Sequence, residues 1–218
     1  MARPRTISTE AILEAGLALG LADLSVSAVA ERLGVTRTAI YRHVPGRAAL
    51  ETLVGEHLLG LAQPPPDRQQ PLDAYLQEFG RWLRELTRST PGLADYMVHL
   101  FPRSPASGRL MEHAVAVAIG HGWSPPAALY ITTTVARSTL SLVRAEVETE
   151  AYLRNLSAEA PDAVTRTEDT MRTLPLVSTA IPFFEGIDEE IRFEWYLRAI
   201  VAGTLVVAQP GQFLLDPD

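Results

Sequence analysis

Three times within its first forty residues the chain writes the same helix start. An apolar residue precedes a hydroxyl residue, and a second apolar residue follows four positions after the hydroxyl. Ile7-Ser8 leads to Ile12, Leu24-Ser25 to Val29, and Val35-Thr36 to Ile40. A hydroxyl so placed accepts from the free amides that open a helix, and the apolar pair closes over the cap. The pattern predicts short helices beginning near Ser8, Ser25 and Thr36. Along the first of them Ile12, Ala15 and Leu19 share one face, at the spacing of a buried stripe.

The second and third starts lie close together, with Gly34 between them. Val26–Leu33 followed by Arg37–Tyr41 reads as a helix-turn-helix. Ala30 is small where the pair must cross, and Gly34 suits the positive φ with which a chain leaves a helix. An ordinary helical hairpin shares this much; the outward residues separate the two. They are Arg37, Thr38, Ala39, Tyr41 and Arg42. A recognition helix enters the major groove with its N-terminal residues nearest the bases. Arg37 suits a guanine edge, and Thr38 or Ala39 a thymine methyl. Tyr41, Arg42, His43 and Arg47 are placed for phosphates, which fix register without reading sequence. Ser25 and Thr36, the caps of the pair, complete the expected DNA-contacting set. Arg3 and Arg5 form either a further DNA-contacting arm or a solvated terminus.

Charge is distributed to match. The whole chain carries −7, yet the first fifty residues hold six arginines against four acids, a net of +2, which leaves −9 for the rest. Any phosphate-facing surface is thereby confined to one end. The excess is too small to decide function alone.

The run from Leu24 to Leu50 resembles the DNA-binding domain of the tetracycline-repressor (TetR) family. Ala30-x-x-Leu33-Gly34-Val35 is common among helix-turn-helix proteins, whereas Tyr41-Arg42-His43-Val44 with Arg47 and Leu50 is more specific to this family. Val44, where most members carry phenylalanine, points to the branch of the tetracycline repressors themselves. The resemblance implies an all-helical homodimer on a palindromic operator. Carried over, Arg37, Thr38 and Ala39 fall where the family reads bases, and Thr36, Tyr41, His43 and Arg47 where it grips the backbone. It also implies that the helix after Arg47 joins DNA-reading and sensing parts, its tilt setting the distance between reading heads.

Beyond that run the pattern stays helical, without strand-like alternation or internal repeat. Arg47–Leu61 reads as a fourth helix, with Leu50, Leu53, Val54, Leu58 and Leu61 on its apolar face. Prolines then punctuate helices over Leu72–Arg88, Leu93–Leu100 and Gly108–His121. Two long helices follow, over Pro126–Leu156 and Asp188–Ala208, separated by an acidic stretch with one short helix near Asp162–Leu174. These two long helices, near 126–156 and 188–208, carry more apolar surface than one subunit hides, so a homodimer is expected through them. The fold class is all-α. A three-helix DNA-binding domain spans 1–47, and a helical effector-binding and dimerisation domain spans 48–218.

The middle helices supply the aromatic and polar residues of a ligand cavity: Phe79, Trp82, Leu86, Tyr96, Phe101, His113, Thr134, Arg137 and Ser141. Arg137 stands out in an apolar, threonine-rich helix, where a charge needs water or a partner. That partner is an anionic ligand, Glu78 or Glu85, or a residue across the dimer. Against the drug-binding positions of the tetracycline repressors, Gln63, Glu78, Tyr96 and Ala114 depart from the residues used there. Neither tetracycline nor magnesium is therefore expected. His57, His113 and His121 lack metal-ligand spacing.

Enzyme motifs are missing: there is no cysteine, Gly-rich phosphate loop, His-Glu-x-x-His or Gly-x-Ser-x-Gly. The basic N-terminus is followed by no apolar leader, and no stretch of about 18 apolar residues suggests a span. The expectation is a cytoplasmic, non-enzymatic transcriptional regulator without metal or cofactor. It binds operator DNA and an unidentified small effector; the alternative is a DNA-binding dimer with no effector.

Overall fold

The computed structural model of the protein describes residues 7–100 and 104–210, and among them every regular element is a helix. Arg3, Arg5 and Phe101 lie outside the described residues.

Three short helices form the head: α1 (Thr9–Leu19), α2 (Val26–Leu33) and α3 (Arg37–Tyr41). Each begins at its anticipated hydroxyl. Ser8 Oγ accepts from the amide of Ala11 at 3.1 Å, Ser25 Oγ from Ala28 at 3.0 Å, and Thr36 Oγ1 from Ala39 at 3.3 Å. The apolar residues that follow, Ile12, Val29 and Ile40, are all inaccessible to water. Burial of each contributes roughly 1.5–3 kcal/mol relative to exposure. Gly34 takes a left-handed conformation at φ 67°, and the amide of Val35 reaches back to the carbonyl of Ala30 at 2.9 Å. This closes α2 and turns the chain directly into α3.

The fourth helix, α4 (Arg47–Leu61), contacts α1 on one side and α6 (Leu93–Leu100) and α7 (Pro105–Gly120) on the other. It uses two faces. Val54 packs so tightly on α1 that a Cβ at Gly16 would come within 2.6 Å of it. The next residue, about 100° round the helix, is Gly55, which lies under the ring of Tyr96, where a Cβ would stand 2.4 Å from the ring. The expected stripe is therefore corrected at its end: Leu61 is 69% exposed, while Leu59 is buried. At about 100° per residue, Leu61 returns to the side of Leu50 and Val54, but α4 has by then left the head behind.

In the body, α5 (Leu72–Arg88) and α8 (Pro125–Glu159) pack closely together, and α8 also touches α6, α7 and α11 (Glu189–Val207). Two shorter helices, α9 (Pro161–Arg172) and α10 (Val177–Glu185), continue the chain beyond α8. The sequence reading missed α10, where Pro182 sits inside a helix. It also placed the start of α7 three residues late. Prolines here open helices as well as end them: Ser104 caps α7 with Pro105 behind it, and α8 and α9 likewise begin on proline. The missing amide of proline costs nothing in a first turn, whose amides have no helical partner.

Ion pairs tie these helices together. Arg84 of α5 is nearly buried, bonds to Glu146 of α8 at 3.3 Å and to Glu190 of α11, and lies 4.5 Å over the ring of Phe193. Arg88 holds the same Glu146 at 2.7 Å, and Arg81 holds Glu194 of α11 at 2.5 Å. The far end of α11 is fastened by Trp123, whose indole N–H donates to the carbonyl of Ala208 at 2.7 Å.

Candidate nucleic-acid interface and effector site

The third helix is nailed down on one side and bare on the other. Ile40 and Val44 are buried, and they fix the rotation of α3 against the head. That rotation turns Thr36, Arg37, Thr38, Tyr41, Arg42 and His43 toward solvent, with Ala39 half-buried at the edge. Tyr41 is 51% exposed, unusual for a large aromatic on so small a helical head. Among the described residues none bonds or pairs with the side chains of Arg37, Tyr41, Arg42 or His43. Two members of the expected set differ. Arg47, also exposed, holds Glu51 one turn along α4 at 2.6 Å. Ser25 is half-buried, with its hydroxyl engaged in the α2 cap.

The proposed pocket residues do not gather at one place. Phe79 is buried and Trp82 half-buried, with their rings stacked at 5.6 Å. Tyr75, one turn earlier on α5 and absent from the sequence reading, extends the ladder at 6.3 Å from Phe79. Leu86 and Thr134 are half-buried. His113 is half-buried and engages the carbonyl of Pro65 at 3.0 Å, so its Nε2 carries the donated hydrogen. Arg137 and Ser141 lie on the exposed outer face of α8, and no described residue bonds to or pairs with Arg137. Glu78, one of its suggested partners, is instead clasped by Arg68 through both carboxylate oxygens at 2.7 and 2.9 Å.

Tyr96 belongs to a different place. It lines a cleft of about 480 Å³ between head and body, with Leu21, Arg47, Thr52, Gly92 and His99 among its neighbours. Its hydroxyl lies 3.4 Å from Glu56 of α4, whose other oxygen accepts from the amide of Ala106 in the first turn of α7 at 2.9 Å. A carboxylate at that position complements the positive end of the α7 dipole. Burial, and then the charge of Glu56, raise the Tyr96 phenol above its ordinary value, so it remains a neutral donor. Glu56 thus links α4, α6 and α7. Sequence pattern held no hint of it, because its partners lie 40 and 50 positions away.

Comparison with known proteins agrees with this architecture. The family model "Tetracyclin repressor-like, C-terminal domain" matches residues 65–208. Among solved structures, ActR from Streptomyces coelicolor in complex with actinorhodin is 20% identical, with a TM-score of 0.71, covering 97% of this chain and 100% of that one. Apo ActR gives 0.73 at 20% identity, over 95% of this chain and all of the other. A TetR variant from Acinetobacter baumannii AYE in complex with minocycline gives 0.66 at 20% identity, over 97% and 100%. At these identities the likeness is one of fold. No curated protein sequence matches the chain significantly. Because the family match spans well over half of its length, the chain belongs to the tetracycline-repressor (TetR) family of transcriptional regulators.

Proposed function

We propose that the protein is a homodimeric, cytoplasmic repressor that reads a palindromic operator with α3 and leaves it when a small organic effector enters the helical body. On this reading residues 1–47 are the reading head and residues 48–218 the sensor. The protein works by binding and not by catalysis, and it needs no metal or cofactor. The observation that carries the proposal is the bare outer face of α3, where Arg37, Thr38, Tyr41, Arg42 and His43 stand exposed on a helix locked from behind by Ile40 and Val44. Folding leaves Arg37 and Arg42 without a carboxylate among the described residues, and a duplex supplies both the phosphates and the base edges that this face lacks.

The second subunit has a surface to meet. On α11, Phe193, Leu197 and Val201 are buried within the subunit, while Ile191, Trp195, Ala199, Ala202 and Val206 form an exposed stripe. Leu129 and Tyr130 near the start of α8 are exposed as well. Exposed apolar residues on two long helices fit an isologous four-helix contact. The effector then acts by population shift. It favours a tilt of α4 at which the two copies of α3 no longer match the operator, and linkage equates its preference with the DNA affinity lost. Small organic molecules held by ActR and by the A. baumannii TetR variant support an effector of that class.

Selection of bound duplexes from a random pool tests the reading directly. A palindromic consensus, with salt-sensitive binding by a dimer, is the expected result. A protein that stays monomeric and shows no preference among duplexes would refute it. A small-molecule screen for release of the selected operator follows.

A further inference from the structure

Between α5 and α6 the body reaches the head a second time, away from α4. Gly92, the residue before α6, turns with a positive φ of 87°, and a Cβ there would stand 2.6 Å from the amide nitrogen of Ala22 and 2.8 Å from the carbonyl carbon of Leu21. These are backbone atoms of the loop between α1 and α2, so no flexible side chain is there to give way. One turn further along α6, the Tyr96 ring rests on Gly55 of α4, and its hydroxyl meets Glu56, which also receives the amide of Ala106. Two clefts border the Gly92 contact, of about 480 Å³ toward α4 and about 390 Å³ toward α8, and both are lined by Ala22, Gly92 and Asp95. The bridge from body to loop is therefore narrow.

It is also stiff, because α6 belongs to the body. Leu93, Ala94 and Met97 are buried, and Asp95 is held by Arg144 of α8 at 2.6 Å. The carbonyl of Gly92 accepts from the amide of Tyr96 at 3.1 Å, which fixes the turn to the helix behind it. On the head side Leu21 is buried, and Val54 packs α4 on Gly16 of α1, so the loop, α1 and α4 form one packed unit. The head thus rests against α6 at two points, Gly92 on the loop and Tyr96 on α4. Two points fix an angle where one would leave a hinge. That angle carries α3. Lengthening the spacer of a palindrome by one base pair moves the second half-site about 3.4 Å along the duplex and turns it by roughly 35°. A pair of heads held at a fixed angle meets only one such separation.

We propose that Gly92 and Tyr96 are the positioning residues for operator spacing: α3 reads the bases of each half-site, and this end of α6 sets which separation between half-sites the dimer accepts. Preference for bases and preference for spacing are then carried by different residues, the second set in the body and not in the reading helix. The assignment rests on the reading that two copies of α3 occupy one palindrome.

The test uses the full chain and three duplexes: the palindrome selected from a random pool, and the same half-sites with the spacer one base pair longer or shorter. Affinities are measured at one salt concentration, per active dimer. Wild type should prefer the selected spacing over either neighbour by about tenfold or more. Gly92→Ala, whose Cβ must drive the loop away, should weaken the selected spacing about tenfold while one neighbour loses less, so that the ranking narrows or inverts. Tyr96→Leu withdraws the ring from Gly55 and loses the bond to Glu56, and should bring the three affinities to within about threefold of one another. Base preference within each half-site should stay as it is in both. Trp123→Phe is the comparison for lost stability alone: it removes the bond to Ala208 at the far end of α11, and should lower Tm with the spacing preference intact. Three outcomes overturn the proposal: a wild type indifferent to spacing, affinity ratios unchanged in both α6 variants, or a Trp123→Phe that relaxes the preference as far as Tyr96→Leu does. Should Gly92→Ala fail to fold, Tyr96→Leu decides alone. A chain that selects no palindrome refutes the repressor reading as well, whereas a spacing preference that survives both substitutions sinks the positioning role and spares the repressor.

Discussion

Arginine is used in opposite ways at the two ends of the molecule. In the head, Arg37 and Arg42 stand exposed on α3, and no described carboxylate meets them. In the body, Arg81, Arg84, Arg88 and Arg144 each hold carboxylates contributed by other helices, across 49 to 113 positions of sequence. Folding satisfies the second group and leaves the first without a carboxylate among the described residues, and on the proposed reading the operator supplies the missing anion. Arg47, at the junction, is intermediate: its partner Glu51 is one turn away and both side chains are reachable by water, so a phosphate competes for it at little cost.

The comparison can be broken from the body first. Arg84→Met should destabilise the protein by about 2–3 kcal/mol in denaturant titration. That is the low side for a broken buried pair, because Arg88 keeps hold of Glu146. Operator affinity per folded dimer should not change; equal loss of both would mean that the network also sets head geometry. Arg37→Ala should do the reverse, costing about 1–3 kcal/mol of DNA binding at one base position in each half-site while Tm stays put. A uniform loss across all sequences would reassign Arg37 to the phosphates.

Ser25→Ala tests whether that hydroxyl is a cap or a DNA contact. Loss of the cap should lower stability by about 1 kcal/mol, with no change in the salt slope of binding. The smallest effect is expected at the Arg81–Glu194 pair, where the hydrogen bond from Arg81, against the opposing cost of burial, holds Glu194 below its ordinary value. A carboxylate with a lowered folded pKa adds stability above its unfolded pKa and loses it as pH falls through the folded one. Wild type and Glu194→Gln should therefore differ by less than about 1 kcal/mol near neutrality, and the gap should close as pH drops below about 4.5.

Read from residues alone, the head came out almost whole. Its caps, its turn at Gly34 and the outward set on α3 all depend on partners three or four positions apart, the range that pattern reports. The body came out as helices without their purposes. On α11, Ile191, Trp195, Ala199 and Ala202 form the exposed stripe while Phe193, Leu197 and Val201 fill the core, and spacing alone does not choose between two apolar faces of one helix. On α4, one apolar stripe was expected where the helix serves two neighbours with two faces, which displaced Leu61 from the core. Tyr96 and Trp82 looked alike as pocket aromatics, yet one lies on Gly55 of α4 and the other on Phe79 of α5.

The order of letters alone determined that this chain is helical, where the three helices of the head begin, and which short helix presents arginine, threonine and tyrosine outward. Those are outcomes of local hydrogen bonding and of a 3.6-residue repeat. Only the tertiary structure decided which arginines are neutralised, which face of α4 meets which domain, and where the end of α6 touches the head. Each of these depends on groups brought together from distant parts of the chain, and no spacing rule records which distant residues will meet.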